Sequence, residues 1–210
     1  MNYIEILSKD KVMQKLIEQF GELSPIIPTE DIFNEIVGSI VGQQLSVKAA
    51  DTIFKRVLAL VETCEPSSFL KFEDQQLRDC GLSFAKIRYI KALSNSVINK
   101  EVDLESLRSM GDEEVKIELV KLKGIGEWTA EMLLIFGLAK DDIFSYGDLG
   151  LRNAIANLYK IDRDNREEIL KISSKWKPFR SYASRYLWKS LDNLPKNPVN
   201  KSKHSAVKPL

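Results

Sequence analysis

The sequence predicts an all-α fold, on three observations. Apolar residues recur at three- and four-residue spacing along most of the chain, as helices with one buried face require. Serine, aspartate, glycine and proline stand where those runs begin and end. Few runs alternate with period two, and YIEIL near the start is too short to found a sheet.

The first long helix is expected near Lys11–Phe20. Between Thr29 and Leu60, Ile32, Ile36, Ile40 and Val41 share one face, and Ala49, Ile53, Phe54 and Val57 share another. The break is GQQLS, where Gly42 ends one helix and Ser46 caps the next. EDQQLRDCGL reads as a short helix stopped by Gly81, and FAKIRYIKALSNSVI as a longer one with Ile87, Ile90, Leu93 and Val97 inward. Asp112 is read as the N-cap of MGDEEVKIELVKL, with Glu113 and Glu114 set well against the helix dipole. A KGIGE turn leads into WTAEMLLIFGL, ended by Gly137. DLGLRNAIANLY, REEILKISSKW and PFRSYASRYLWKSL complete the set, with Pro178 suited to the first position of the last. The tail, residues 194–210, is polar, proline-punctuated and lysine-rich, and is expected to be disordered.

Composition bounds the function classes. The 210 residues suffice for one large domain or two small ones, and 44% hydrophobic with 29% charged residues argues against disordered, collagen-like and disulfide-scaffold classes. Lysine plus arginine (31) nearly balances aspartate plus glutamate (30), so the net charge of +1 announces no nucleic-acid partner. Cys64 and Cys80 cannot supply a four-cysteine metal or iron–sulfur site. The single histidine, His204, lies in the tail, which argues against histidine-assisted nucleophiles and histidine-rich metal sites. No run approaches the ~20 apolar residues of a membrane span, and the first residues lack the apolar stretch of a signal peptide, so a soluble intracellular protein is expected.

The most informative segment is LVKLKGIGEWTAEMLLIF, Leu119–Phe136. Gly124 and Gly126 bracket Ile125 between two helices and permit a sharp turn with close backbone approach. The second helix starts at about Gly126, so its free N–H groups and positive dipole end form an anion site that fits a phosphodiester. Lys121 and Lys123 add positive charge beside it. Asp148, in DIFSYGDLGLRNA, begins the next helix, where it serves as an N-cap and also suits a catalytic carboxylate. WKPFRSYASRYLW gathers Trp176, Phe179, Tyr182, Tyr186 and Trp188.

In this order, IVGQQLSVKAA (Ile40–Ala50), LKGIGEWTAEMLL (Leu122–Leu134), the pair Gly147–Asp148 and WKPFRSYASRYLW (Trp176–Trp188) resemble the helix–hairpin–helix DNA glycosylase superfamily. Within it, they resemble the 3-methyladenine DNA glycosylase II (alkylbase glycosylase) family. The resemblance spans about Asp31 to Leu191. It implies two helical subdomains with the active site in the cleft between them. Residues 29–139 would form the hairpin-bearing bundle, and 1–28 with 140–193 the subdomain carrying the catalytic aspartate. Some relatives add an N-terminal sheet domain, for which this chain is too short.

The resemblance implies a monofunctional glycosylase of base excision repair. It would hydrolyse the N-glycosidic bond of 3-methyladenine or 7-methylguanine flipped out of duplex DNA, leaving an abasic site. Asp148 would be the catalytic carboxylate, as general base or as electrostatic stabiliser of an oxocarbenium-like sugar. Trp128 and Trp188, with Met132 and Leu149, would line the base pocket. Better-known relatives carry tyrosines where Met132 and Leu149 stand, so a less aromatic pocket is expected. Indole faces attract a cationic base by ~0.5–2 kcal/mol.

DNA-backbone contacts would come from Lys123, Gly124, Gly126 and Thr129. Gln44 or Leu45 would plug the duplex where the base leaves. Basic character is expected to be local, around Lys121, Lys123, Arg152 and the tail. The resemblance brings a structural Na⁺ or K⁺ at the carbonyls of Val120, Leu122 and Ile125, and no required cofactor. The partner implied is double-stranded DNA with alkylated bases, bound by a monomer away from membranes. The location would be cytoplasmic at the nucleoid in a bacterium or archaeon, and nuclear in a eukaryote. Two other readings stay open: a glycosylase/lyase for oxidised bases, and a non-catalytic helix–hairpin–helix DNA-binding module. Trp128 stands where lyases of the superfamily carry the Schiff-base lysine, which weighs against the first. Asp148 weighs against the second.

Overall fold

In the computed structural model, residues 2–192 are described, and among them every regular element is helical. The tail, with His204, lies outside the described residues. Twelve α-helices follow in order: α1 (Tyr3–Leu7), α2 (Lys11–Phe20), α3 (Ile32–Gly42), α4 (Val47–Val61), α5 (Pro66–Leu70), α6 (Asp74–Asp79), α7 (Phe84–Ile98), α8 (Asp112–Lys121), α9 (Glu127–Met132), α10 (Leu149–Tyr159), α11 (Arg166–Ser174) and α12 (Arg180–Asp192). Polar side chains start many of them: Asp10, Asp31, Ser46, Ser83, Asp148 and Asn165 each accept a main-chain N–H of the first turn.

YIEIL, too short for a sheet, forms the one-turn helix α1, capped by Asn2, because Tyr3 and Leu7 both reach a buried face at helical spacing. Three local readings are corrected. Gly111, rather than Asp112, caps α8; Glu114 reaches back to accept the Gly111 N–H at 3.0 Å, which frees Asp112 to face Lys140 at 3.4 Å. Pro178 stands outside α12, which begins at Arg180. The helix after the hairpin does not run evenly to Gly137. After Met132 it widens into a π-turn, Leu133–Gly137, in which Leu138 N–H reaches back five residues to the Leu133 carbonyl at 2.9 Å.

Two apolar cores form. The first gathers Ile36, Val37, Ile40, Val57, Phe69, Leu77, Ile87, Ile90, Val115 and Leu134, all within α3 to the π-turn. The second gathers Tyr3, Leu7, Met13 and Leu16 from the start of the chain with Leu151, Ile155, Ile169, Trp176, Tyr186 and Leu187 from its later part. In the second core α12 packs on both α2 and α10. Each large apolar side chain removed from water in these cores contributes roughly 1.5–3 kcal/mol. Two tyrosine hydroxyls close the second core, Tyr3 accepting Leu23 N–H and Tyr186 donating to the Gly21 carbonyl, both at 2.8 Å.

The chain passes from the first core to the second along residues 140–148, and this crossing is stitched down. Arg180 clamps the Asp142 carboxylate with Nε at 2.7 Å and Nη2 at 2.9 Å. Buried Ser181 accepts Ile143 N–H and donates to the Lys140 carbonyl. The crossing ends at Asp148, the N-cap of α10.

Candidate active site and nucleic-acid interface

The hairpin between α8 and α9 turns on Gly124, whose φ of +89° suits glycine. A Cβ there would also fall 2.3 Å from the Tyr89 ring. Gly126 differs: its φ is −91° and a Cβ would meet nothing within 4 Å, so its surface is open. Gly126 caps α9 without a side chain, and the first internal bond is Ala130 N–H to the Gly126 carbonyl at 2.9 Å. The N–H groups of Glu127, Trp128 and Thr129 are the helix-start donors left over. Lys123 is exposed beside them.

Asp148 faces this hairpin from the end of the crossing. Its Oδ1 accepts Leu151 N–H at 2.7 Å and Trp188 Nε1–H at 3.1 Å; its Oδ2 accepts Trp128 Nε1–H at 2.8 Å. Trp128 and Trp188 are thus brought together at Asp148, presenting N–H edges to the carboxylate. Trp128 is 46% exposed and Leu149 51%, while Met132 is half-buried against the first core. Phe136, carried outward by the π-turn, lies 5.7 Å from the Trp188 ring and is itself well exposed. Gly150 leaves room for the carboxylate, since a Cβ there would sit 3.0 Å from Asp148 Oδ1.

Gln44 and Leu45 are exposed at the tip of the α3–α4 loop, with Gln44 at φ +57°. Lys86 holds the base of that loop by donating to the carbonyls of Val41 and Gln43 at 2.8 and 2.7 Å. Burial pushes the Lys86 ammonium below its ordinary pKa. Gln43 donates to the Gly124 carbonyl at 2.8 Å and so ties loop and hairpin together.

Other placements depart from expectation. Thr129 is 5% exposed, on the inner side of α9, so its hydroxyl is not presented at the surface of the hairpin. Lys121 is paired with Glu118 at 2.6 Å, and Arg152 with Asp164 at 2.7 Å while its guanidinium lies over Tyr146, so neither is a free cation. Trp176 and Tyr186, by contrast, are where an aromatic cluster on helices ordinarily sits, fully buried in the core.

Glu131 on α9 is buried, accepting from Lys116 Nζ at 2.8 Å and from Ser145 Oγ. Desolvation alone would lower the Lys116 pKa, but the Glu131 bond and charge, with Glu127 and Glu113, raise it on balance. Among the described residues no cluster of histidine, cysteine, aspartate and glutamate could hold a metal ion, and no helix is long and apolar enough to cross a membrane. Sequence reasoning missed Phe136, Gly150, Glu131 and Ser145. The GDLG spacing is the one signal that pointed to Gly150; the others depend on tertiary placement.

Comparison with known proteins gives consistent matches. Residues 37–179 fit the model of the HhH-GPD superfamily base excision DNA repair protein. The chain is 31% identical over 210 residues to DNA-3-methyladenine glycosylase 1 of Schizosaccharomyces pombe, covering 96% of this chain and 92% of that one. It spans a smaller share of two other relatives, 62% of a protein from Bacillus subtilis and 59% of one from Saccharomyces cerevisiae. Among solved structures, the DNA-3-methyladenine glycosidase of Bacillus halodurans aligns with TM-score 0.81 at 33% identity, covering 92% of this chain and 90% of that one. The S. pombe 3-methyladenine DNA glycosylase in complex with abasic DNA aligns with TM-score 0.80 at 30% identity, covering 91% and 97%.

Proposed function

Because the chain belongs to the HhH-GPD superfamily of base excision DNA repair proteins, we propose that it is a monofunctional alkylpurine DNA glycosylase. It takes a 3-methyladenine or 7-methylguanine flipped out of duplex DNA, cleaves the bond from N9 to the deoxyribose, and leaves an abasic site. The observation that carries this reading is the carboxylate of Asp148, held by two indole N–H groups beside a hairpin with open main-chain donors.

An N-alkylated purine is cationic, so its glycosidic bond breaks with little acid help. Positive charge then develops on the sugar, and an anion fixed beside it stabilises that charge; preorganised electrostatics of this kind are often the largest contribution to catalysis. Of about four acceptor positions on a carboxylate, three are engaged at Asp148. That leaves little room to take a proton from water and favours the electrostatic role over general-base work. Strand cleavage by a Schiff base needs an amine, and Trp128 stands at that position. A pure DNA-gripping module has no use for an indole-clamped carboxylate.

The DNA backbone sits over Gly124, Gly126 and Lys123, with the N–H groups at the start of α9 on a phosphate. Gln44 and Leu45 fill the gap left by the flipped base. The hairpin also suits a Na⁺ or K⁺, because carbonyls of Val120, Leu122 and Ile125 are neutral oxygen donors of the kind hard cations take. Leu122 O already accepts Ile125 N–H at 3.0 Å, which keeps one of its lone pairs for the ion. Such an ion would supply positive charge toward a phosphate and take no part in the chemistry. The protein acts as a monomer wherever the DNA is kept, at the nucleoid or in the nucleus.

The test is release of free base from methylated duplex DNA by the wild type and by Asp148→Asn. Loss of about 10²–10³ in rate is expected from the variant. Equal release by both would remove Asp148 from the chemistry.

A further inference from the structure

The segment that carries Asp148 is tied to α9 at a second point. Glu131 lies one helical turn beyond Trp128, and Ser145 lies three residues before Asp148. Trp128 donates to the Asp148 carboxylate, and Ser145 donates to the Glu131 carboxylate, so two rungs with the same three-residue spacing join helix and crossing. The lower rung is enclosed: Ser145 is fully buried and Glu131 is 8% exposed. Lys116 of α8 supplies the counter-charge at 2.8 Å, and the Ser145 carbonyl accepts Asp148 N–H at 3.2 Å.

A carboxylate buried here is costly unless fully bonded, and an apolar pair of similar volume would hold the elements together at least as well. What the apolar pair would not give is fixed register, because oily surfaces slide where a directional hydrogen bond does not. We propose that Glu131 is a positioning residue for Asp148, latching the crossing to α9 through Ser145 so that the carboxylate keeps its distance from the hairpin. The inference rests on the reading of Asp148 as the carboxylate at the reacting sugar. It assigns Lys116 a supporting part, since without it the Glu131 carboxylate would be a buried charge lacking a counter-charge.

Ser145→Ala removes the rung and leaves Lys116 and Glu131 paired. Single-turnover base release at saturating enzyme is expected to fall about tenfold or more, as small misplacements at a reacting centre do. Affinity for a duplex carrying a tetrahydrofuran abasic analogue should stay within about twofold, because the hairpin is untouched. Glu131→Gln can still accept from Lys116 and can donate to Ser145 Oγ, so it should recover most of the rate. An unchanged rate in Ser145→Ala would overturn the proposal. So would a matching loss of DNA affinity, loss of the folded state, or a Glu131→Gln variant as slow as Ser145→Ala. Failure of the wild type itself to release methylated base would instead overturn the proposed function.

Discussion

Trp128 donates its indole N–H to Asp148 Oδ2 at 2.8 Å, across 20 residues of chain. Trp188 does the same to Oδ1 at 3.1 Å, so each carboxylate oxygen has an aromatic donor. A hydrogen bond to a charged group is worth about 1.5–3 kcal/mol. Trp128→Phe keeps a ring and deletes the donor, and Trp128 is exposed enough that the fold should be retained. Single-turnover base release should drop roughly tenfold or more, with the thermal midpoint lowered by several degrees at most. A wild-type rate would mean that the bond does not order the carboxylate proposed to act at the sugar.

Gly150 offers a substitution whose effects on stability and activity separate. It lies inside α10, where alanine is favoured over glycine by up to about 1 kcal/mol. Its added Cβ would crowd Asp148 Oδ1 at 3.0 Å and sit 3.5 Å from Trp188 Cδ1. Gly150→Ala should therefore leave urea stability within about 1 kcal/mol of wild type while base release falls severalfold. Loss of both together would show general disruption.

The two hairpin glycines should respond differently. Gly124→Ala meets the Tyr89 ring at 2.3 Å and a φ of +89°, whereas Gly126→Ala meets open space at an ordinary φ. Left-handed backbone disfavours alanine by about 1–2 kcal/mol, and overpacking adds roughly 1–3. Gly124→Ala should lower the denaturation midpoint clearly. Gly126→Ala should keep the fold and weaken binding to abasic-analogue duplex, because its methyl group intrudes on the surface proposed for a phosphate. Equal midpoints would contradict the clash at Tyr89.

Alkaline stability should carry the signature of Cys64. Burial first, then the charge of Asp31, pushes its thiol from 9.0 up to about 12. The folded state holds the proton more tightly than the unfolded chain, so this stabilisation is complete below pH 9 and is lost as pH rises toward 12. Burial raises Tyr159, Tyr182 and Tyr186 in the same direction. The difference between wild type and Cys64→Ala in chemical denaturation at pH 8 and pH 10.5 isolates the thiol. A difference that stays constant across that range would reject the assignment.

Much of the helical pattern was legible because caps and apolar periodicity agree locally. Ser46 and Asp148 mark helix starts in the sequence and cap them in the structure. The π-turn was not legible: LLIFG is apolar throughout, and periodicity cannot distinguish a four-residue from a five-residue reach when every position is greasy. Its effect is to set Phe136 outward beside Trp188. Partners of charge were also hidden. Arg152 finds Asp164 twelve residues on, around the end of α10, and Glu131 finds Ser145 fourteen residues on, across the crossing. Asp148 stood out by its position at a helix start. Which atoms of Trp128 and Trp188 would meet it depended on side-chain orientation, and the expectation of ring faces did not anticipate the N–H edges.

Among the described residues, Trp188 packs against both apolar cores. The same ring donates to Asp148, so it is a gear tooth engaged with both halves and with the carboxylate proposed to act at the sugar. A twist of one half against the other would bear on that indole and on the bond it gives the carboxylate. The relative setting of the two halves and the surroundings of Asp148 are joined through one side chain.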